Sequence, residues 1–161
     1  MPAPSSLVTI RPVATDFSDS LDNTATTIAG ITVPRTNSLG RLVINVPSGP
    51  ATVLSVQIAS NITADGSTAE LGVGVFVDGV WQQSLVPVAN DVEQFSVAVS
   101  AGAHTVTFVT AYQQHALGTY VYSVQGMGIS VVPQASVSSS LTVYGDSIAA
   151  GALASPDTQL G

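Results

Sequence analysis

The chain contains no cysteine. Disulfides and thiolate metal sites are thereby excluded, and cysteine usage says nothing about redox compartment. Positive charge is nearly as scarce. Lys and Arg together number 3, namely Arg11, Arg35 and Arg41, against 10 Asp and Glu, for a net charge of −7. A nucleic-acid interface needs a basic footprint to neutralise phosphates, and scattered arginines do not form one. Anionic membrane surfaces are disfavoured for the same reason. No run approaches the roughly 18 continuous apolar residues of a membrane helix. Neither nucleic acid nor membrane is therefore an expected partner. Met1 to Ser6 lack the charged and apolar regions of a secretory leader. Charged residues of both signs make up 8% of the chain, against about a quarter in an ordinary globular domain. Helical periodicity is missing before residue 145.

What is present is alternation. The 161 residues, 45% of them hydrophobic, suffice for the core of one domain. Val8 and Ile10 share one parity, as do Leu42, Ile44 and Val46, and likewise Leu54, Val56 and Ile58. Val73, Val75 and Val77, then Phe95, Val97 and Val99, then Val106 and Phe108 repeat the pattern. Each set predicts a strand with one buried face. Ala25–Val33 reads as a further strand, Asp16–Asn23 as a polar loop and Pro34–Gly40 as turn chemistry. Asp78-Gly79 is the strongest hairpin signal, because a type I′ turn needs positive φ at both central residues. Tyr120–Val132 reads as one long strand whose parity slips near Gly126, which predicts a bulge there. Many short strands separated by turns predict an all-β, antiparallel, jelly-roll-like β-sandwich over residues 1–132. Residues 133–140, Pro-Gln-Ala-Ser-Val-Ser-Ser-Ser, read as a linker.

Leu141–Gly161 has a different pattern. A short apolar run (Leu141, Val143, Tyr144) meets Gly145-Asp146-Ser147, and small helix-compatible residues follow from Ile148 to Ala154. The order predicts a strand, a tight turn and a helix start. A serine at such a turn exposes its hydroxyl and places its backbone N–H where negative charge is favoured, as an acyl-transfer nucleophile requires. Asp146 reads as a turn or capping residue. The block, with Ile148 and Gly151, resembles the first sequence block of the SGNH (GDSL-type) hydrolases, which are α/β/α esterases and lipases. The resemblance implies Ser147 as nucleophile, its backbone N–H as an oxyanion donor, and Gly145 and Asp146 as turn supports. None of the family's remaining blocks follows Ser147 here, and His104 and His115 precede it. The upstream region is similar to the jelly-roll domain preceding the SGNH domain in carbohydrate esterases of the acetyl-xylan esterase kind. Val77-Asp78-Gly79, Ala101 to Val106 and Gln125-Gly126-Met127-Gly128 carry that similarity. Together the two imply a serine esterase of acylated glycans in which residues 141–161 begin a catalytic domain. The chain by itself would be inactive and would need the missing C-terminal domain as a partner. An extracellular setting is expected.

Four aromatic residues, Trp81, Tyr112, Tyr120 and Tyr122, have flat faces suited to the C–H faces of pyranoses, and core packing is the competing use for each. Trp81 and Tyr112 are the carbohydrate-contact candidates. Asp16, Asp19 and Asp22 are hard oxygen ligands whose loop could hold a structural calcium. Their spacing is not that of an EF-hand, and a solvated acidic loop is the plainer reading. No other cofactor is expected. His104 shares the parity of Val106 and Phe108 and is expected to be half-buried. Two alternatives stand beside the esterase. One is a non-catalytic carbohydrate-binding β-sandwich module. The other is a structural sandwich of the capsid, fibre or adhesin kind.

Overall fold

A computed structural model describes residues 6–18, 20–36, 40–61, 72–88, 91–110, 113–114 and 117–134. The strands in chain order are β1 (Leu7–Ile10), β2 (Ser20–Ile28), β3 (Ile31–Thr36), β4 (Arg41–Gly49), β5 (Thr52–Ser60) and β6 (Val73–Val77). They continue as β7 (Val80–Leu85), β8 (Asp91–Val99), β9 (Gly102–Thr110), β10 (Gln113–Gln114), β11 (Leu117–Met127) and β12 (Ser130–Val131). Among the described residues, helix is confined to a 3-10 turn at Ala14–Asp16. The residues form two five-stranded antiparallel sheets. One runs β1-β11-β5-β8, with β10 beside β11, and the other runs β12-β4-β9-β6-β7. The described residues thus form an all-β antiparallel sandwich.

Alternation accounts for the core. Leu42 pairs with Phe108 and Ile44 with Val106 in one sheet, and Leu54 pairs with Val97 and Val56 with Phe95 in the other. The inward sets join Val73, Val75, Leu85, Val99, Val121, Val124 and Ile129 in one buried cluster. Each such side chain stabilises the fold by about 1.5–3 kcal/mol relative to exposure. A register slip of one residue would turn an entire set to solvent, so pairing is strongly specified. The chain changes sheets at Gly128, whose φ of 62° only glycine adopts readily. Its N–H is held by the Ser6 carbonyl at 2.9 Å.

Four sequence expectations are corrected. Asp16–Asn23 is not one polar loop, because β2 begins at Ser20. Ala25–Val33 is not one strand, because Ala29 and Gly30 turn it into a β2–β3 hairpin with φ of 47° and 80°. Pro34 lies inside β3 rather than in a turn. That strand pairs with β2 alone in a two-stranded ribbon, where the missing N–H of proline is tolerated. The parity slip of the long strand falls at Tyr122, between Val121 and Ser123, and not at Gly126. Gly126 serves packing instead, since a Cβ there would come within 2.6 Å of Leu54 Cδ2.

The β2–β3 ribbon lies on the outer face of the β1-β11-β5-β8 sheet. Ile28 and Val33 pack there on Ala59 and Tyr120 in a second, smaller core. The expected α/β start over residues 141–161, including Gly145, Asp146 and Ser147, lies outside the described residues.

Candidate functional site

The β6–β7 hairpin turns at Asp78-Gly79 with φ of 52° and 80°. Aspartate is among the few side chains that tolerate this left-handed region. Here its carboxylate is also used. Oδ1 accepts the Thr105 N–H at 2.8 Å, and Oδ2 lies 2.7 Å from His104 Nδ1. The Asp78 N–H donates to the Thr105 carbonyl at 2.8 Å. On the far side of the imidazole, His104 Nε2 lies 3.0 Å from Ser100 Oγ and 3.4 Å from the Ala101 carbonyl. The turn of β6–β7 is therefore tied to β9 and to the β8–β9 turn. The Thr105 N–H, and after it His104, hold the Asp78 carboxyl below its usual value. The Asp78 hydrogen bond raises His104 against the opposing effect of partial desolvation.

A bulge follows the turn. Val75 pairs with Gln83 but Phe76 pairs with Trp81, so Gln82 is the extra residue. Bulges re-aim neighbouring side chains. Gln82 Nε2 donates to the Val80 carbonyl at 3.2 Å, and Gln83 Nε2 donates across to the Ser96 carbonyl at 3.2 Å. The second bond ties the adjacent edge strands β7 and β8. Val80 and Trp81 remain 63% and 44% exposed, which is unusual for a tryptophan with a core available to it.

Clefts lie on both sides of this hairpin. On the outer face of its sheet the cross-strand row is Trp81, Phe76, Thr107 and Val43. A cleft of about 250 Å³ beside it is lined by Arg41, Phe76, Gly79, Thr107 and Val109. Arg41 has no ion-pair partner among the described residues. The second cleft, about 560 Å³, opens at the mouth of the sandwich between the edges of the two sheets. It is lined mainly by small aliphatic side chains, with Thr52, Gln82 and Ser100 as the polar members. Its volume suits a small ligand.

The remaining candidates are dispersed. Tyr120 is buried in the small core. Tyr122 is half-buried, with the Arg11 guanidinium 5.4 Å from its ring centroid. Asp16 Oδ2 accepts the Val13 N–H at 2.8 Å and so closes its own turn. Asp22 lies on β2 rather than in a loop. Among the described residues no three His, Cys, Asp or Glu side chains gather to hold a metal. Tyr112, His115, Asp19 and Ser147 lie outside the described residues, as does the Asp22 side chain. Sequence reading missed the Asp78–His104–Ser100 chain. Its signal was weak, since the contact spans 26 positions from Asp78 to His104.

No family model and no curated protein matches the chain. Solved structures do. The family 35 carbohydrate-binding module of Cellvibrio japonicus Abf62 is 16% identical, with a TM-score of 0.50 over 81% of this chain and 100% of that one. This chain shares the antiparallel β-sandwich fold of that structure. A family 35 module from an environmental isolate is also 16% identical, with a TM-score of 0.49 over 78% of this chain and 98% of that one. A CBM36 domain from a xylanase of the Trinervitermes trinervoides hindgut metagenome is 8% identical, with a TM-score of 0.48 over 74% of this chain and 95% of that one.

These findings overturn the resemblance to SGNH hydrolases and the esterase reading built on it. The solved structure that shares this fold at a TM-score of 0.50 is a carbohydrate-binding module and not a hydrolase. The physical reason is the brevity of the motif. Gly-Asp-Ser between an apolar run and small residues is ordinary turn chemistry, and a serine without a base is a poor nucleophile.

Proposed function

We propose that the chain is a non-catalytic carbohydrate-binding β-sandwich module, with the β6–β7 hairpin as its glycan platform. The observation that carries this is the exposed Trp81 beside the cleft of Arg41, Phe76 and Thr107. An aromatic face covers the C–H face of a pyranose, while Thr107 and Arg41 supply hydrogen bonds to its oxygens. The hairpin is held in place before any ligand arrives, which lowers the entropic cost of binding. The fold shared with the Cellvibrio module supports the same reading. Residues 1–132 are the module and residues 133–140 its linker. Its setting is extracellular, where polysaccharides are met.

The test is affinity electrophoresis and calorimetry against a panel of soluble plant, fungal and bacterial polysaccharides. At least one glycan binds, and Trp81→Ala weakens it by tenfold or more with an unchanged circular dichroism spectrum. Tyr112→Ala in the same assay reports whether Tyr112 forms a second stacking face. Absence of binding to every glycan refutes the reading, and wild-type affinity in Trp81→Ala removes the hairpin from it.

A further inference from the structure

The mouth cleft and the Asp78–His104–Ser100 chain share one residue, Ser100. This makes the hydrogen-bonding polarity of the cleft depend on a proton outside it. Asp78 Oδ2 can only accept, so Nδ1 of His104 carries its proton whether the ring is charged or neutral. The change on titration is therefore confined to Nε2, 3.0 Å from Ser100 Oγ. In the charged ring Nε2–H donates to Oγ, and the Ser100 hydroxyl proton is free to point into the cleft. In the neutral ring Nε2 is a lone pair that takes the Ser100 proton, and the cleft meets only the serine lone pairs.

The rest of the lining restricts what can use that donor. Val53, Val77 and Val99 offer aliphatic wall, and no charged side chain lines the cleft among the described residues. Gln82 gives one Nε2 proton to the Val80 carbonyl, and its Oε1 is an acceptor with no bond to the protein among the described residues. A methyl group, a carbonyl oxygen and an N–H in one small planar unit match these three features. We propose that the cleft receives the acetamido group of a glycan. Its methyl lies on the valines, its N–H meets Gln82 Oε1, and its carbonyl takes the Ser100 hydroxyl proton while His104 is charged. The inference rests on the carbohydrate reading above and adds a substrate class and a pH dependence to it.

Among the described residues, the titratable group facing His104 is Asp78, from the β6–β7 turn. From β4 its cross-strand neighbour is Val46, and from the β8–β9 turn it meets Ser100 and the Ala101 carbonyl. Asp78 holds the imidazole above its ordinary value of 6.5. Acetamido binding is thus full below that region and falls as pH rises through the raised value. By reciprocity, an acetamido ligand raises His104 further.

The experiment uses the full chain with chitotetraose and cellotetraose, which differ in acetamido against hydroxyl at C2. Calorimetry from about pH 6 to about pH 9 brackets the imidazole. The expected result is a preference for chitotetraose on the order of tenfold at the acid end, shrinking toward none at the alkaline end. Ser100→Ala, with an unchanged circular dichroism spectrum, abolishes both the preference and its pH dependence. His104 followed by NMR titrates about one pH unit higher with saturating chitotetraose, which is the same tenfold ratio read from the other side. Equal affinities at every pH, or an unchanged preference in Ser100→Ala, overturn the inference and leave the carbohydrate reading intact. Failure of both tetraoses to bind also overturns it, and the polysaccharide panel then decides the carbohydrate reading separately.

Discussion

The β2–β3 and β6–β7 hairpins have nearly the same turn and opposite fates. Both central pairs are left-handed, with φ of 47° and 80° at Ala29-Gly30 and 52° and 80° at Asp78-Gly79. The first hairpin lies flat on a sheet and spends Ile28 and Val33 on a small core with Tyr120. The second is built into a sheet and leaves Val80 and Trp81 in solvent. The turn side chain marks the difference. Ala29 has no polar atom beyond its backbone, whereas the Asp78 carboxylate binds Thr105 and His104. Apolar packing fixes the turn end of the first hairpin and hydrogen bonds fix that of the second, and only the second carries an aromatic residue, Trp81, beside its turn.

The largest expected effect separates packing from presentation. Tyr120→Ala empties the small core and costs about 3–5 kcal/mol in urea unfolding. Trp81→Ala stays within about 0.5 kcal/mol of wild type, as an exposed residue should. A comparable loss in both variants would erase the contrast. Next, Gly30→Ala and Gly79→Ala should each cost about 1–2 kcal/mol, because the φ is unfavourable with a Cβ. Neither position has a neighbour within 4 Å of the added carbon, so the two costs should match despite the different surroundings. Ala29→Gly should stabilise by about 0.5–1 kcal/mol by relieving the same strain.

The smallest effect sharpens the polar side of the comparison. Asp78→Asn lowers Tm, and the difference from wild type depends on pH in a defined window. The depressed Asp78 contributes stability above its ordinary 3.8, which is lost as pH falls through its folded value. The raised His104 contributes fully below 6.5, and this is lost as pH rises through its folded value. The Tm difference should peak between these limits and narrow on both sides. A difference flat from acid to alkali would show that the pair does not anchor the hairpin.

Much of the sandwich was legible because period-two alternation is a local record of which face is buried. Leu42, Ile44 and Val46 or Leu54, Val56 and Ile58 admit little else. Residues 20–28 were less legible, because Thr24, Thr26 and Thr27 give no apolar alternation and owe their strand to pairing with β3. Pro34 misled for the same reason, since an edge position excuses what a central strand forbids. The bulge at Tyr122 left no residue signature, being a matter of register against β5. Gly145-Asp146-Ser147 misled in the other direction, as a short motif read with more context than it carries.

The sequence alone determined that the region before residue 133 is an antiparallel β-sandwich, that its core comes from alternating aliphatic positions and that Asp78-Gly79 closes a hairpin. These properties follow from neighbours within a few residues, through side-chain parity and allowed φ. Only the tertiary structure decided that Tyr120 is buried in a second core, that Asp78 meets His104, and that Ser100 joins them at the mouth of the sandwich. Those outcomes depend on which strands become neighbours, and distant segments enter such contacts through packing that no local pattern encodes.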